Sequence, residues 1–369
     1  MAEISLIEWT DATWNIITGC SVKSAGCKHC YAMKLAGTRL QHHPSRAGLT
    51  NDTAAGPVWN GQVRFNGQWL DQPLRWRRPR RIFVCAHGDL FHESVPDEWI
   101  DKVFAVMALA PAHTFQVLTK RAERMRAYLS SPDVGARIGS AEREYAKAVD
   151  FYRPKNGIAN VHVACERHMP LPNVWLGVSV ENQDAADERI RLLLQTPAAV
   201  RWISAEPLLG PVDLVRTCWD CVSAEVALRF DRSTGGDVTE LTPLFGIGWV
   251  VAGGESGECA RPMRLAWVRA LRDQCAASGV PFLFKQWGEW HPASSGHGGE
   301  NGAFNGDIFM PGWGDISVAG RENNMVRAGK RAFGYRVLDG ATHDQYPDTP
   351  PLIDQVKALA RRLGVDADP

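Results

Sequence analysis

Through most of the chain, short apolar runs alternate with stretches of helical spacing. The runs 82–86, 114–119, 174–180, 200–205, 248–252 and 281–286 are five to seven residues long and rich in Val, Ile, Phe and Trp, which is the length and chemistry of buried strands. Between them, 96–109, 121–129, 184–194 and 267–278 carry apolar residues on one helical face. An earlier apolar run, Trp14 to Gly19, adds a seventh strand, and the stretch from Tyr31 to about His43 reads as a helix ended by Pro44. The alternation predicts an α/β fold, a parallel sheet or a partial β/α barrel.

Three segments interrupt this rhythm, at about 45–80, 130–172 (helical in its middle, around Ala141 to Val149) and 210–246. They read as insertions in a core spanning 1–290. Residues 291–369 read as a C-terminal extension packed on that core: Gly-rich to about Gly320, then a hairpin-like stretch from Val326 to Leu338 and a last helix from Leu352 to Leu363.

With 369 residues there is enough chain for a large core. Forty-one basic residues balance forty-one acidic ones, so the whole molecule is not a polyanion binder, and any nucleic-acid surface must be a local patch. Patches exist at Arg75 to Arg81 with Trp76 interleaved, at Lys120-Arg121, and at Arg327, Lys330 and Arg331. No apolar run reaches the length of a membrane span, and Met1-Ala-Glu-Ile lacks the basic start of a signal peptide, so no membrane partner and a cytoplasmic location are expected. Nine cysteines, an odd number partly in CxxC spacing, suit a reducing compartment and metal ligation.

Cys20, Cys27 and Cys30 share one loop just after the first strand, with six residues in the first gap and two in the second. Three thiolates on one loop suit an iron–sulfur cluster or zinc, and leave one coordination position open. A reactive cluster and a structural zinc closed by a fourth ligand such as His29 are both compatible with that pattern. Cys218 and Cys221 form a separate CxxC, a candidate for an additional zinc with help from Cys165, His162 or His168.

In parallel β/α folds the active site forms at the carboxyl ends of the strands. Reading the residues just after each run collects His87, Gly88, Asp89 and His92, then Thr119, Lys120 and Arg121, then Ser179, Glu181 and Asn182. Ser204 and Glu206, then Gly253, Gly254, Glu255 and Ser256, then Lys285, Gln286 and Trp287 complete the rim. Lys120, Arg121, Glu206 and Lys285 are its candidates for catalysis. A single carboxylate such as Asp89 or Glu206 could equally cap the next helix.

Longer stretches carry a family resemblance. Ile7 to Asn15, Thr18-Gly-Cys20 and Gly26 to Tyr31 resemble the phage-associated three-cysteine-motif family of radical-SAM-like proteins. So do Asp89 to His92, Leu118 to Met125, Asn173 to Glu181, Ser204 to Asp213, Gly253 to Gly257, Ala260 to Met263 and Phe284 to Gly288, with Gly329-Lys330 and Leu338 to Gly340 beyond. The resemblance implies a partial parallel β/α barrel of the radical-SAM type, in which Cys20, Cys27 and Cys30 hold a [4Fe–4S] cluster. S-adenosylmethionine, reductively cleaved with an external electron donor, would then act on a nucleic-acid or nucleotide substrate. By strand position it assigns Asp89 to the methionine amino group and Ser179, Glu181 and Glu206 to ribose or carboxylate, with Gly253, Gly254 and Glu255 as the Gly-Gly-Glu segment. The chain differs from the common superfamily pattern in its six-residue first gap and in placing Gly-Gly-Glu late, with Gly88-Asp89 after the second strand. The alternative function is a non-catalytic, zinc-stabilised nucleic-acid or protein-binding module.

Overall fold

The computed structural model describes residues 5–148, 169–221, 244–292, 308–309, 325–327, 329 and 335–348. Seven parallel strands form one sheet in sequence order: β1 (Ala12–Trp14), β2 (Arg81–Val84), β3 (Thr114–Thr119), β4 (Val174–Ser179), β5 (Val200–Ala205), β6 (Trp249–Gly253) and β7 (Phe282–Gln286). Each strand lies beside its predecessor, and β1 and β7 are not paired with each other, which is the topology of a partial β/α barrel. Among the described residues, the helices longer than one turn are α1 (Tyr31–Ala36), α2 (Asp97–Leu109), α3 (Ala122–Leu129), α4 (Val134–Ala148), α5 (Gln183–Leu194), α6 (Leu214–Cys221) and α7 (Leu265–Ala277), with a single-turn helix at Gln72–Arg75 in the first insertion.

The strands are apolar on both faces because both are covered. One face carries Ile82, Val84, Phe115, Val117, Leu176, Ile203, Val250 and Phe284, packed with Ile100, Phe104, Ile190, Val268 and Leu271 of the helices. Alternate residues turn to the concave side, where Phe83, Trp175, Trp202, Trp249, Val251 and Leu283 close around Trp9. Trp9 and Trp202 are 5.2 Å apart and Trp202 and Trp249 5.3 Å. Four of the fourteen tryptophans, Trp9, Trp175, Trp202 and Trp249, are therefore spent on an apolar floor in the lower part of the barrel rather than on a stacking platform.

Part of the extension finishes that floor. Phe284 donates its backbone N–H to the carbonyl of His343, and Phe282 donates to the Gln345 side chain. Tyr346 stacks on Trp249 at 5.2 Å while the Arg81 guanidinium sits 4.1 Å above its ring. The segment 343–346 thus links the exposed edge of β7 to the start of β2, covering an edge that would otherwise be an open template.

Several boundaries differ from those read in the sequence. The first barrel strand is Ala12–Trp14, whereas Ile17–Thr18 pairs antiparallel with Arg64–Phe65 inside the first insertion. Helix α1 stops at Ala36 rather than near His43, since Gly37 packs against Pro57 of the hairpin Thr50–Thr53/Gly56–Trp59 and a Cβ there would stand 2.1 Å from the proline ring. In the second insertion α4 begins at Val134. The stretch expected as a hairpin from Val326 to Leu338 is not one: Met325–Arg327 pairs with Trp290–Pro292 and Ile308–Phe309, and Val337–Leu338 pairs with Ala341–Thr342. The last helix, 352–363, lies outside the described residues. No helix among the described residues is long and apolar enough to cross a membrane.

Candidate active site at the mouth of the barrel

Strand register brings the rim residues together. Thr119 stands opposite Val178, Ser179 opposite Ser204, and Ala205 opposite Ala252, so β3 to β6 end nearly level. Because side chains alternate, Trp175 and Ser179 face the concave side from one strand and Trp202 and Ser204 from the next, with the apolar residues below and the polar ones above.

The cysteine loop lies across this mouth. It leaves β1 through Gly19, which bridges to Gly88 after β2, passes a 3-10 turn at Ala25–Cys27, and enters α1 with Cys30 as its N-cap. Four other strand ends grip it. From the β2 loop, His92 Nε2 is 3.0 Å from Ser21 Oγ. From the end of β3, Arg121 donates to Ser21 Oγ at 2.7 Å and to Cys20 Sγ at 3.5 Å. After β4, Glu181 accepts from Ser24 and backs Gly26 so closely that a Cβ there would lie 3.3 Å from its carboxyl carbon. After β6, Arg261 donates to the Ala25 carbonyl at 3.0 Å.

These contacts are held by buried ion pairs. Asp89 is 5% exposed and its carboxylate already has four donors: Phe91 N–H and Thr119 Oγ1 on one oxygen, Lys120 N–H and Arg121 Nη1 on the other. That leaves Asp89 as the anchor of Arg121 rather than a free contact for an amino group. Glu181, 1% exposed, takes Arg189 at 2.8 Å and has Lys120 at 3.8 Å. Glu206 takes Lys285 at 2.9 Å on one oxygen, and Trp9 Nε1 and Ser204 Oγ on the other. Glu255 is clamped by Arg261, Nη2 at 2.6 Å.

The glycines of Gly-Gly-Glu serve close packing. A Cβ on Gly253 would meet Glu206 Oε1 at 2.8 Å, and one on Gly254 would meet the Trp287 carbonyl oxygen at 1.8 Å. The segment therefore lets β6 and β7 close against each other beside the Glu206–Lys285 pair.

Burial disfavours the thiolate at Cys20 and at Cys30. Burial, with help from the Asp89 charge, pushes Cys20 up to about 12 against the opposing pull of Arg121. Burial also raises Cys30, partly offset by backbone N–H groups at the start of α1. Cys27 acts electrostatically on both, so the three form one coupled group. Among the described residues no three His, Cys, Asp or Glu side chains converge into a ready cage for an ion. What fits a soft metal or cluster is the donor set: three thiols on one loop, acting electrostatically on one another, with the Arg121 guanidinium 3.5 Å from Cys20 Sγ to offset part of the cost of ionising that thiol.

The profile of a family described as a protein of unknown function, DUF5131, matches residues 4–347. The chain belongs to the DUF5131 family. No curated protein and no solved structure matches it. The matched span covers the barrel, the insertions and the extension as far as the residues that close the floor, so the architecture described here belongs to the family's own region.

Sequence reasoning missed several functional positions of this DUF5131 chain. Arg189 and Arg261 hold Glu181 and Glu255, yet each lies inside or before a helix where an arginine looks like ordinary surface. Trp9 precedes β1 within the resembling stretch Ile7 to Asn15, but nothing in that stretch showed that it would sit at the centre of the barrel floor. Conversely, the basic run does not reach the mouth. Arg81 opens β2, so the run lies at the amino end of the barrel, where Arg75 pairs with Asp71, Arg80 stacks on Trp76 at 4.9 Å and Arg81 pairs with Asp11. Lys330 and Arg331 lie outside the described residues. Cys218 is buried in the core on α6, beside Cys275, while the side chain of Cys221 and the proposed helpers Cys165, His162 and His168 lie outside the described residues.

Proposed function

We propose that this protein is a radical-SAM-type enzyme, related to the phage-associated three-cysteine-motif proteins, that acts on a nucleotide or nucleic-acid substrate. The observation that supports it is the position of the cysteine loop: three coupled thiols at the carboxyl-end mouth of a partial β/α barrel, tied to the ends of β2, β3, β4 and β6. A structural staple has no need of that position, whereas a reacting group does.

In this reading Cys20, Cys27 and Cys30 hold a [4Fe–4S] cluster. Bound there and reduced by an external donor, such a cluster would supply one-electron reductive chemistry toward S-adenosylmethionine, with methionine as the leaving group. The chain's own residues orient and neutralise. Arg121 and Arg189 are buried and fixed by their carboxylates, so they shape the site. Lys120 and Lys285 keep 15% and 17% side-chain exposure, and Lys120 stands 3.8 Å from Glu181, too far for a good hydrogen bond. These two cations can turn to a ligand's carboxylate or phosphate, and Glu206 and Ser179 offer acceptors for its amino or hydroxyl groups. The Trp floor keeps water out from below.

The test is anaerobic incubation of the iron- and sulfide-treated protein with S-adenosylmethionine and dithionite. Release of 5′-deoxyadenosine by the wild type and none by Cys27→Ala supports the reading. A cluster-loaded wild type that leaves S-adenosylmethionine intact, with and without added nucleotides, overturns it.

A further inference from the structure

Among the described residues, the buried cations around the mouth have carboxylate partners, with one exception. Arg121 has Asp89 and Glu93, and Arg189 has Glu181. Arg46, in the first insertion, is 5% exposed, yet its contacts are the Ser45 hydroxyl, which accepts from Nη1, and the face of Trp69 at 6.0 Å. Its Nε is buried with no hydrogen-bond partner among the described residues. Burial lowers it to about 10, and no carboxylate among the described residues acts to restore it, so it remains a guanidinium at neutral pH with its charge uncompensated.

A second orphan lies nearby. His87 Nδ1 is buried without a partner, and the His87 ring stands edge-on to Tyr31 at 5.8 Å. Burial, reinforced by Arg46, pushes His87 down to about 4, so its ring is neutral at pH 7 and one nitrogen can donate. Tyr31 follows Cys30 directly and donates its hydroxyl to the Ala86 carbonyl at 2.6 Å. It lies within electrostatic range of Cys30, Glu206 and Arg46, which places the two orphans beside the cysteine loop at the mouth.

A buried charge with neither a counterion nor a full set of hydrogen bonds is strongly unfavourable, so a retained one points to a missing anion. A guanidinium matches the oxygens of a phosphate bidentately, and a neutral imidazole N–H adds a third donor. We propose that Arg46 and His87 form a subsite for a phosphate group of the substrate, next to the cysteine loop. This rests on the reading of the mouth as acting on a nucleotide, and it names the part of the substrate that this chain grips.

The experiment uses the full chain as purified, with neither iron nor S-adenosylmethionine in the cell, and compares AMP with adenosine by titration calorimetry. AMP is expected to bind at least about tenfold more tightly than adenosine, the scale of a charge-assisted hydrogen bond. Inorganic phosphate should compete, Arg46→Met should remove the difference, and Arg46→Lys should keep part of it. Should Arg46→Met fail to fold, the wild type still decides: inorganic phosphate, but not acetate, should shift the His87 ring resonance, assigned by its loss in His87→Gln. AMP binding no tighter than adenosine, absence of binding by either, or a His87 resonance that phosphate leaves in place or acetate moves equally overturns the proposal. Cleavage of S-adenosylmethionine is measured separately, so a failure of the phosphate subsite and a failure of the radical reading are told apart.

Discussion

Replacing Arg121 by Met removes the cation that joins the floor of the mouth to the cysteine loop. Its guanidinium is buried at 4% exposure and reaches Asp89, Glu93, Ser21 and Cys20. Removing one partner of a buried pair costs about 3–5 kcal/mol. Asp89 keeps three neutral donors, from Phe91, Thr119 and Lys120, and Glu93 is mostly exposed, so the low end, about 3 kcal/mol, is expected. Urea unfolding followed by tryptophan fluorescence measures this as a lower midpoint at unchanged slope. The paired variant Asp89→Asn/Arg121→Met should cost less than the sum of its single changes by about 1–3 kcal/mol, since neither charge is then left alone. Cys20 supplies a second reading. Arg121 is the cation that opposes burial and Asp89 at this thiol, so without it the thiolate is scarcer and iodoacetamide modification of Cys20 at pH 8 slows relative to Cys27. A wild-type midpoint in Arg121→Met, or single costs that simply add, would refute the coupling.

Three further outcomes follow from other contacts. Burial raises the Glu181 carboxyl, but Lys120, Arg189 and Ser24 more than reverse it, so its folded value lies below the unfolded one; the stability it contributes is complete above about pH 4.3 and lost as pH falls through the folded value. Thermal melts should therefore show Glu181→Gln well below wild type at pH 7, with the gap narrowing below about pH 4. Gly254→Ala forces a Cβ to within 1.8 Å of a backbone oxygen that cannot swing away, whereas at Gly26 the nearest atom is a side-chain carbon at 3.3 Å; circular dichroism melts should show the first far more damaging than the second. Trp249→Phe deletes the Nε1 donor to the Gln345 carbonyl at 2.9 Å, and should cost about 1–3 kcal/mol while making amides of 343–346 exchange faster by hydrogen-exchange mass spectrometry.

The barrel was legible because each buried strand is a short apolar run, and runs of that kind admit few other readings. The strands at 114–119 and 200–205 coincide with the sequence reading residue for residue. Ends set by tertiary contacts were less legible: α1 stops at Gly37, a local stop signal passed over in favour of Pro44, and the Pro57 ring it packs against lies twenty positions away. The rule that chemistry follows the strand ends gathered the residues of the mouth, but it could not say which were bound to one another. Asp89 read as a free ligand and is filled by four donors, while Arg46, in a segment read as an irregular insertion, has an unpartnered nitrogen. Partnership of charges is a property of the fold, and a single sequence does not display it.

The most direct test of the central claim is the metal content of the cysteine loop. The full chain is purified anaerobically, reconstituted with iron and sulfide, and analysed for iron, sulfide and zinc beside Cys27→Ala. About four irons per wild-type chain and an absorbance that bleaches on reduction are expected, and neither in the variant. A colourless wild-type protein carrying one zinc and no iron would contradict it, and would favour a zinc-stabilised binding module instead.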